Sequence, residues 1–179
     1  MQTVVLEDEM LLNREIFLTQ EINPITSTDL IKQLMYLEKT KPGEPVVLYI
    51  NSPGGDVNSG LAVYDYIGIM KSPVYTVCVG CAASMGAILF LAGEKRKMLR
   101  NSRVMIHDPS FASGSVSGKK PHEIQERLNQ LLDVREKLAS IIAERSGMSM
   151  KQVYRKTKYD TYINAEDAVK LGIATEILS

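Results

Sequence analysis

The sequence predicts a single α/β domain built on a mostly parallel sheet. Two observations carry that expectation. Residues 46–50 (VVLYI), 74–79 (VYTVCV) and 104–107 (VMIH) are short, largely apolar runs of strand-forming residues. Such runs suit strands buried on both faces, as parallel strands are. Segments of helical spacing separate them, so the order is strand, helix, strand, helix, strand, with right-handed crossovers. The length agrees: 179 residues make about one domain, large enough to fold without disulfides.

Taken in order, residues 13–19 (NREIFLT) read as a strand that Pro24 ends. Thr26, Ser27 or Thr28 is the expected cap of the next helix, with Asp29 in its first turn. Leu30, Leu34 and Leu37, with Ile31 and Met35, repeat at helical spacing. Lys41, Pro42 and Gly43 turn the chain into the 46–50 strand. Pro53-Gly54-Gly55 follows, then a helix over 60–70 that Pro73 breaks. After the 74–79 strand, Gly80 is read as a turn into a helix over 84–93.

Residues 110–120 are rich in Ser, Gly and Lys and read as loop or hairpin. A long amphipathic helix follows from Pro121 to Arg145, and Gly147 stops it. Ile124, Leu128, Leu131, Leu132, Leu138, Ile141 and Ile142 mark its apolar side. At about 37 Å it is long for such a domain. It either covers the sheet or projects against a partner subunit, and the pattern leaves both open. Ser149 caps a short helix carrying Val153 and Tyr154. Asn164 caps a final helix with Asp167 at its third position, Gly172 ends it, and residues 173–178 read as a last strand. The basic clusters at 95–100 and 151–158 read as solvated faces.

Lys plus Arg total 21 and Asp plus Glu total 21, giving zero formal net charge. That balance argues against a nucleic-acid partner. The acidic Glu7, Asp8 and Glu9 oppose a signal peptide, and no uncharged apolar run is long enough for a membrane span. A cytoplasmic protein is the expectation. Cys78 and Cys81 are spaced C-x-x-C, but no second ligand pair completes a zinc site. Cys78 reads as a core thiol, and Cys81 as a turn residue able to face a cavity. The two histidines lie far apart in sequence, which argues against a metal cluster.

Gly54-Gly55, Ser84 and His107 all fall at or just beyond strand ends, where open α/β folds gather ligands. Ser84 sits among small residues, Gly80-Cys81-Ala82-Ala83 before it and Gly86 after it, where a strand gives way to a helix. A helix N-terminus offers free N–H groups to a forming oxyanion. The alternative is that Ser84 merely caps the helix. Gly54 and Gly55 either bare their N–H groups as half of an oxyanion hole or form a plain turn. His107, ending a buried strand, is placed as a general base or as a satisfied core residue. His122 reads as surface. Asp108, Asp160 and Asp167 are the candidate acids. Asp108 should diverge from its neighbour's ring and Asp167 is explained by capping, which leaves Asp160 as the best choice.

At these residues the chain resembles the Clp protease proteolytic subunit, the ClpP family of self-compartmentalised serine peptidases. The resemblance rests on Tyr49-Ile50-Asn51-Ser52-Pro53-Gly54-Gly55, Gly80-x-Ala82-Ala83-Ser84-Met85-Gly86, Asn101-Ser102-Arg103-Val104-Met105-Ile106-His107-x-Pro109, and Asp160 ahead of Asn164-Ala165-Glu166-Asp167-Ala168-Val169-x-x-Gly172. It implies a ClpP/crotonase-like fold of repeated β-β-α units, with a head over about 1–109 and 148–179. A handle helix and strand would project over about 110–147. It implies Ser84 as nucleophile, His107 as base and Asp160 as its orienting acid. The backbone N–H groups of Gly55 and Met85 would form the oxyanion hole, and no metal or organic cofactor would take part. It further implies paired heptameric rings forming a homo-tetradecamer, an AAA+ unfoldase partner and unfolded polypeptide substrates.

The chain departs from the family pattern in three places. Fewer residues than usual precede Leu11 and Leu12, the 110–120 segment is longer, and Cys81 stands where a glutamine is usual. These features suggest a divergent member. Two other readings compete: a regulatory or inactive ring subunit, and a crotonase-like enzyme acting on acyl-CoA thioesters.

Overall fold

Which residues reach the interior decides how the elements stack. The computed structural model describes residues 6–111 and 116–178. In chain order its first half runs α1 (Leu6–Leu12), β1 (Glu15–Leu18), α2 (Pro24–Thr40), β2 (Val46–Ser52), α3 (Val57–Ile69), β3 (Val74–Ala83) and α4 (Met85–Ala92). The second half runs β4 (Lys95–Leu99), β5 (Arg103–Ile106), α5 (Pro121–Arg145), α6 (Met150–Thr157), β6 (Thr161–Asn164), α7 (Ala165–Lys170) and β7 (Glu176–Leu178). The strands form one seven-stranded sheet with the path β1-β2-β3-β4-β7, each pair parallel. An α/β fold with alternating strands and helices is therefore what the protein has.

The apolar runs form strands as expected, but β2 buries only one face, since Val47 and Tyr49 are half-buried and Asn51 is exposed. Val46, Leu48 and Ile50 on β2 and Cys78 on β3 are fully buried. Helix α4 is buried nearly throughout, from Met85 to Leu91, and packs on the sheet and on α3. A helix apolar on all sides belongs in the interior.

Several local expectations are corrected. Helix α2 is capped by Asn23, not by Thr26, Ser27 or Thr28. The Asn23 carboxamide oxygen accepts the Ile25 and Thr26 N–H groups at 2.9 and 3.0 Å. Pro24 opens that helix, because its fixed φ and missing N–H suit the first helical position. Helix α3 starts at Val57, earlier than expected, because Asp56 caps it by accepting the Ser59 N–H at 2.8 Å. The acidic residues at the start of α1 favour a helix that the sequence reading did not contain, since they complement its positive end.

Gly80 is not a turn. Strand β3 runs through it to Ala83, and its pairing with β2 shifts register between Ile50 and Ser52. The Asn51 side chain fills the irregularity: its oxygen accepts the Cys81 N–H at 3.0 Å. A Cβ on Gly80 would lie 2.5 Å from that oxygen, so a side chain there would displace the Asn51 carboxamide. Cys81 is consequently a half-buried strand residue rather than a turn residue, whereas Cys78 is buried as expected.

The cluster at 95–100 is largely the strand β4, not simply a solvated face. Met98 is buried, and the Arg96 guanidinium is taken up by the carbonyls of Gly93, Gly172 and Ile173. Saturating the guanidinium in this way hides the alternation expected of a strand. Strand β6 was also missed; it is only four residues long and pairs antiparallel to β5. The last strand is shorter than expected, at Glu176–Leu178. Residues 112–115 of the 110–120 segment lie outside the described residues, and no strand is assigned in the rest of it.

Helix α5 spans Pro121–Arg145 as expected. Its C-terminal half buries Leu138, Ala139 and Ile142 against the domain. Its N-terminal half leaves Ile124, Leu128 and Leu132 between 38 and 47% exposed. The helix is therefore packed at its C-terminal half, on α4 and α6, and leaves part of its apolar side exposed at its N-terminal half. Among the described residues, no helix is long and apolar enough to cross a membrane.

Arg14 ties the entrance of β1 to two loops. It is buried and donates to the carbonyls of Leu37, Glu44 and Pro45 and to the Ser72 hydroxyl. Replacing it with methionine removes all four bonds and leaves the Glu44 and Pro45 carbonyls without this donor. Arg14→Met is expected to lose about 3 kcal/mol of stability in denaturant titrations.

Candidate active site

Ser84 occupies the single residue between β3 and α4. Its backbone has φ 53° and ψ −121°, a conformation costly for a residue with a side chain. Such strain, about 1–3 kcal/mol, persists only where neighbours over-determine it. Here they do. The Ser84 N–H donates to the Met105 carbonyl at 2.9 Å, and its carbonyl accepts the Ala87 N–H at 2.9 Å. Gly54 presses from the other side: a Cβ there would lie 2.7 Å from the Ser84 Cβ and 2.6 Å from the Ala83 oxygen.

The hydroxyl makes no capping bond to its helix. Its Oγ lies 2.9 Å from Nε2 of His107. His107 directly follows β5, whose last residue, Ile106, is buried. Nδ1 of the same ring lies 3.0 Å from Oδ1 of Asp160. A carboxylate only accepts, so the ring proton belongs on Nδ1 and Nε2 is free to accept the Ser84 O–H. Asp160 sits between α6 and β6, in a turn fixed by the Thr161 hydroxyl donating to the Lys156 carbonyl at 2.6 Å. Its side chain is 64% exposed and that of His107 is 29% exposed.

The other candidates go elsewhere. Asp108 points to Arg135, whose Nε donates to Oδ2 at 2.7 Å. Asp167 serves the start of α7: its N–H donates to the Asn164 side chain at 2.8 Å, and its carboxylate accepts from Lys170. His122 is exposed on the first turn of α5. Burial pushes the Cys78 and Cys81 thiols above their ordinary value, which leaves little thiolate for redox or nucleophilic work.

Gly55 forms a parallel bridge with Ile22. The Ile22 N–H donates to the Gly54 carbonyl at 2.8 Å, and the Asp56 N–H to the Ile22 carbonyl at 2.7 Å. In that pattern the N–H of Gly55 itself faces away from Ile22. Gly55 has φ 147°, and a Cβ on it would meet the Ile22 oxygen. The Met85 N–H is the first of α4 and has no acceptor within the helix.

An apolar pocket opens beside Ser84 and His107, lined by Val57, Met85, Ile88, Ile106 and Leu138 among others. Leu138 and Ile142 reach it from α5, a contribution the sequence reading missed. Their helical spacing was visible, but it gave no hint of which element they would face.

A hydrogen-bonded serine, histidine and aspartate at strand ends of an α/β domain have the form of a hydrolase site. The family model described as Clp protease matches residues 2–179, and the chain belongs to that family. Membership supports a serine-protease-like, peptidase-type hydrolytic function.

Gly54→Ala is expected to displace Ser84. Its reaction with a fluorophosphonate should slow by about a hundredfold, the scale of a small misplacement of a reacting group. Labelling kinetics measure this directly.

Proposed function

We propose that the protein is a serine endopeptidase of the Clp type. The observation that carries this reading is the hydrogen-bonded line from Ser84 Oγ through His107 to Asp160. Ser84 attacks the scissile carbonyl while His107 takes its proton at Nε2 and then delivers it to the leaving amine. Asp160 holds the Nδ1 tautomer and favours the imidazolium that forms. The N–H groups of Gly55 and Met85 receive the oxyanion. Water then cleaves the acyl-enzyme, with His107 acting again as base. No metal or cofactor is required by these steps.

The apolar pocket next to Ser84 is read as the seat for the substrate side chain on the acyl side. The spare apolar stripe of α5 is read as the handle of a head-and-handle subunit in paired heptameric rings. The crotonase-like description of the β-β-α order belongs to the same reading. Substrates would be unfolded polypeptides delivered by an AAA+ unfoldase in the cytoplasm. The short contacts favour a competent site over an inactive ring subunit, and the family match favours a peptidase over an acyl-CoA enzyme.

Ser84→Ala is expected to abolish both peptide hydrolysis and fluorophosphonate labelling while native mass spectrometry still shows a tetradecamer. Persistent labelling of that variant would overturn the assignment. Fluorogenic peptides with Leu or Met on the acyl side should be cleaved at least about tenfold faster than those with Asp, as an apolar pocket requires.

A further inference from the structure

We propose that Arg135 on α5 is a positioning residue for His107, acting through Asp108. This inference rests on the peptidase reading above. The Arg135 Nε donates to Oδ2 of Asp108 at 2.7 Å, and its guanidinium stacks 4.4 Å from the centroid of the Tyr154 ring on α6. The Asp108 N–H donates to the Thr157 carbonyl at the end of the same helix, at 2.6 Å. Asp108 is thus gripped by its side chain from α5 and by its backbone from α6.

Three features carry that grip to the base. Adjacent Cα atoms are about 3.8 Å apart, so a shift of residue 108 moves residue 107. Pro109 follows, and a residue before proline is confined to extended backbone, so the link is stiff. In extended chain successive side chains point to opposite sides. His107 accordingly faces Ser84 while Asp108 faces Arg135. The carboxylate side of the site shares the anchor, because Asp160 leaves the end of α6 three residues after Thr157.

The two side chains are 34 and 28% exposed, so the pair is half-buried at the edge of the site. What the pair does fix is the direction in which the base is presented.

The test compares wild type with Arg135→Gln, Arg135→Lys, Asp108→Ala and the Asp108→Ala/Arg135→Gln double variant. Peptide hydrolysis, the fluorophosphonate labelling rate and thermal midpoints are measured for each. Arg135→Gln and Asp108→Ala should each lower kcat and the labelling rate about tenfold, with KM nearly unchanged. The double variant should be no slower than either single one, since both remove the same link. Arg135→Lys should recover part of the loss. Wild-type rates in folded Arg135→Gln and Asp108→Ala, additive losses, or a rise in KM alone would overturn the inference and leave the peptidase reading intact. A wild-type protein that neither labels nor hydrolyses would instead overturn the peptidase reading and this inference with it. Should Arg135→Gln fail to fold, Asp108→Ala decides alone, because it leaves α5 unaltered.

Discussion

The contact between the Gly54 backbone and the Ala83–Met85 turn is the constraint on which the site depends. Two crossovers, β2 to α3 and β3 to α4, leave the sheet side by side. At their exits the chains come so close that no side chain fits at position 54. The closeness holds Ser84 at a positive φ that an isolated serine would avoid. The Ser52 hydroxyl braces the arrangement by donating to the Gln20 carbonyl at 2.6 Å and accepting the Gly54 N–H at 3.2 Å. Strain at Ser84 is thus maintained by ordinary sheet packing.

The legible parts of the fold were those governed by short-range periodicity. The strands at 46–50 and 74–79 and the helices around Leu30–Leu37 and Pro121–Arg145 announce themselves through apolar spacing. The segments that escaped are those where tertiary contacts override local signals. Asn51 turns an apparent breaker, Gly80, into part of a strand. Carbonyls from two loops turn Arg96 from a solvated charge into an inward-facing strand residue. Cap positions erred for a related reason: Asn23 and Asp56 are as good caps as any threonine, and only geometry chooses between neighbours.

For the site, residue chemistry alone named Ser84 and His107 as candidates and left Asp160 weakly preferred. Capping duty disposes of Asp167, and the structure adds the reason Asp108 is occupied elsewhere. The pocket and the Arg135 link both depend on α5 meeting α4 and α6, a long-range event with no local signature. The two halves of α5 differ accordingly. One half carries side chains that line the pocket beside Ser84, and the other leaves part of its apolar stripe exposed.

The change of neighbour along β3 has one more consequence. Its early residues pair with β4 and its late residues, Cys81 to Ala83, pair with β5. The Ser84 N–H continues that second ladder by binding the Met105 carbonyl. Ser84 and His107 therefore stand one strand apart, and the gap between them is set by the pitch of a sheet. Loops at either end can grow or shrink without changing that pitch. The regular spacing of backbone hydrogen bonds sets the separation of Ser84 and His107, and the 110–120 segment begins only after β5 has ended. A change of loop length at the periphery of such a domain leaves the separation of Ser84 and His107 untouched.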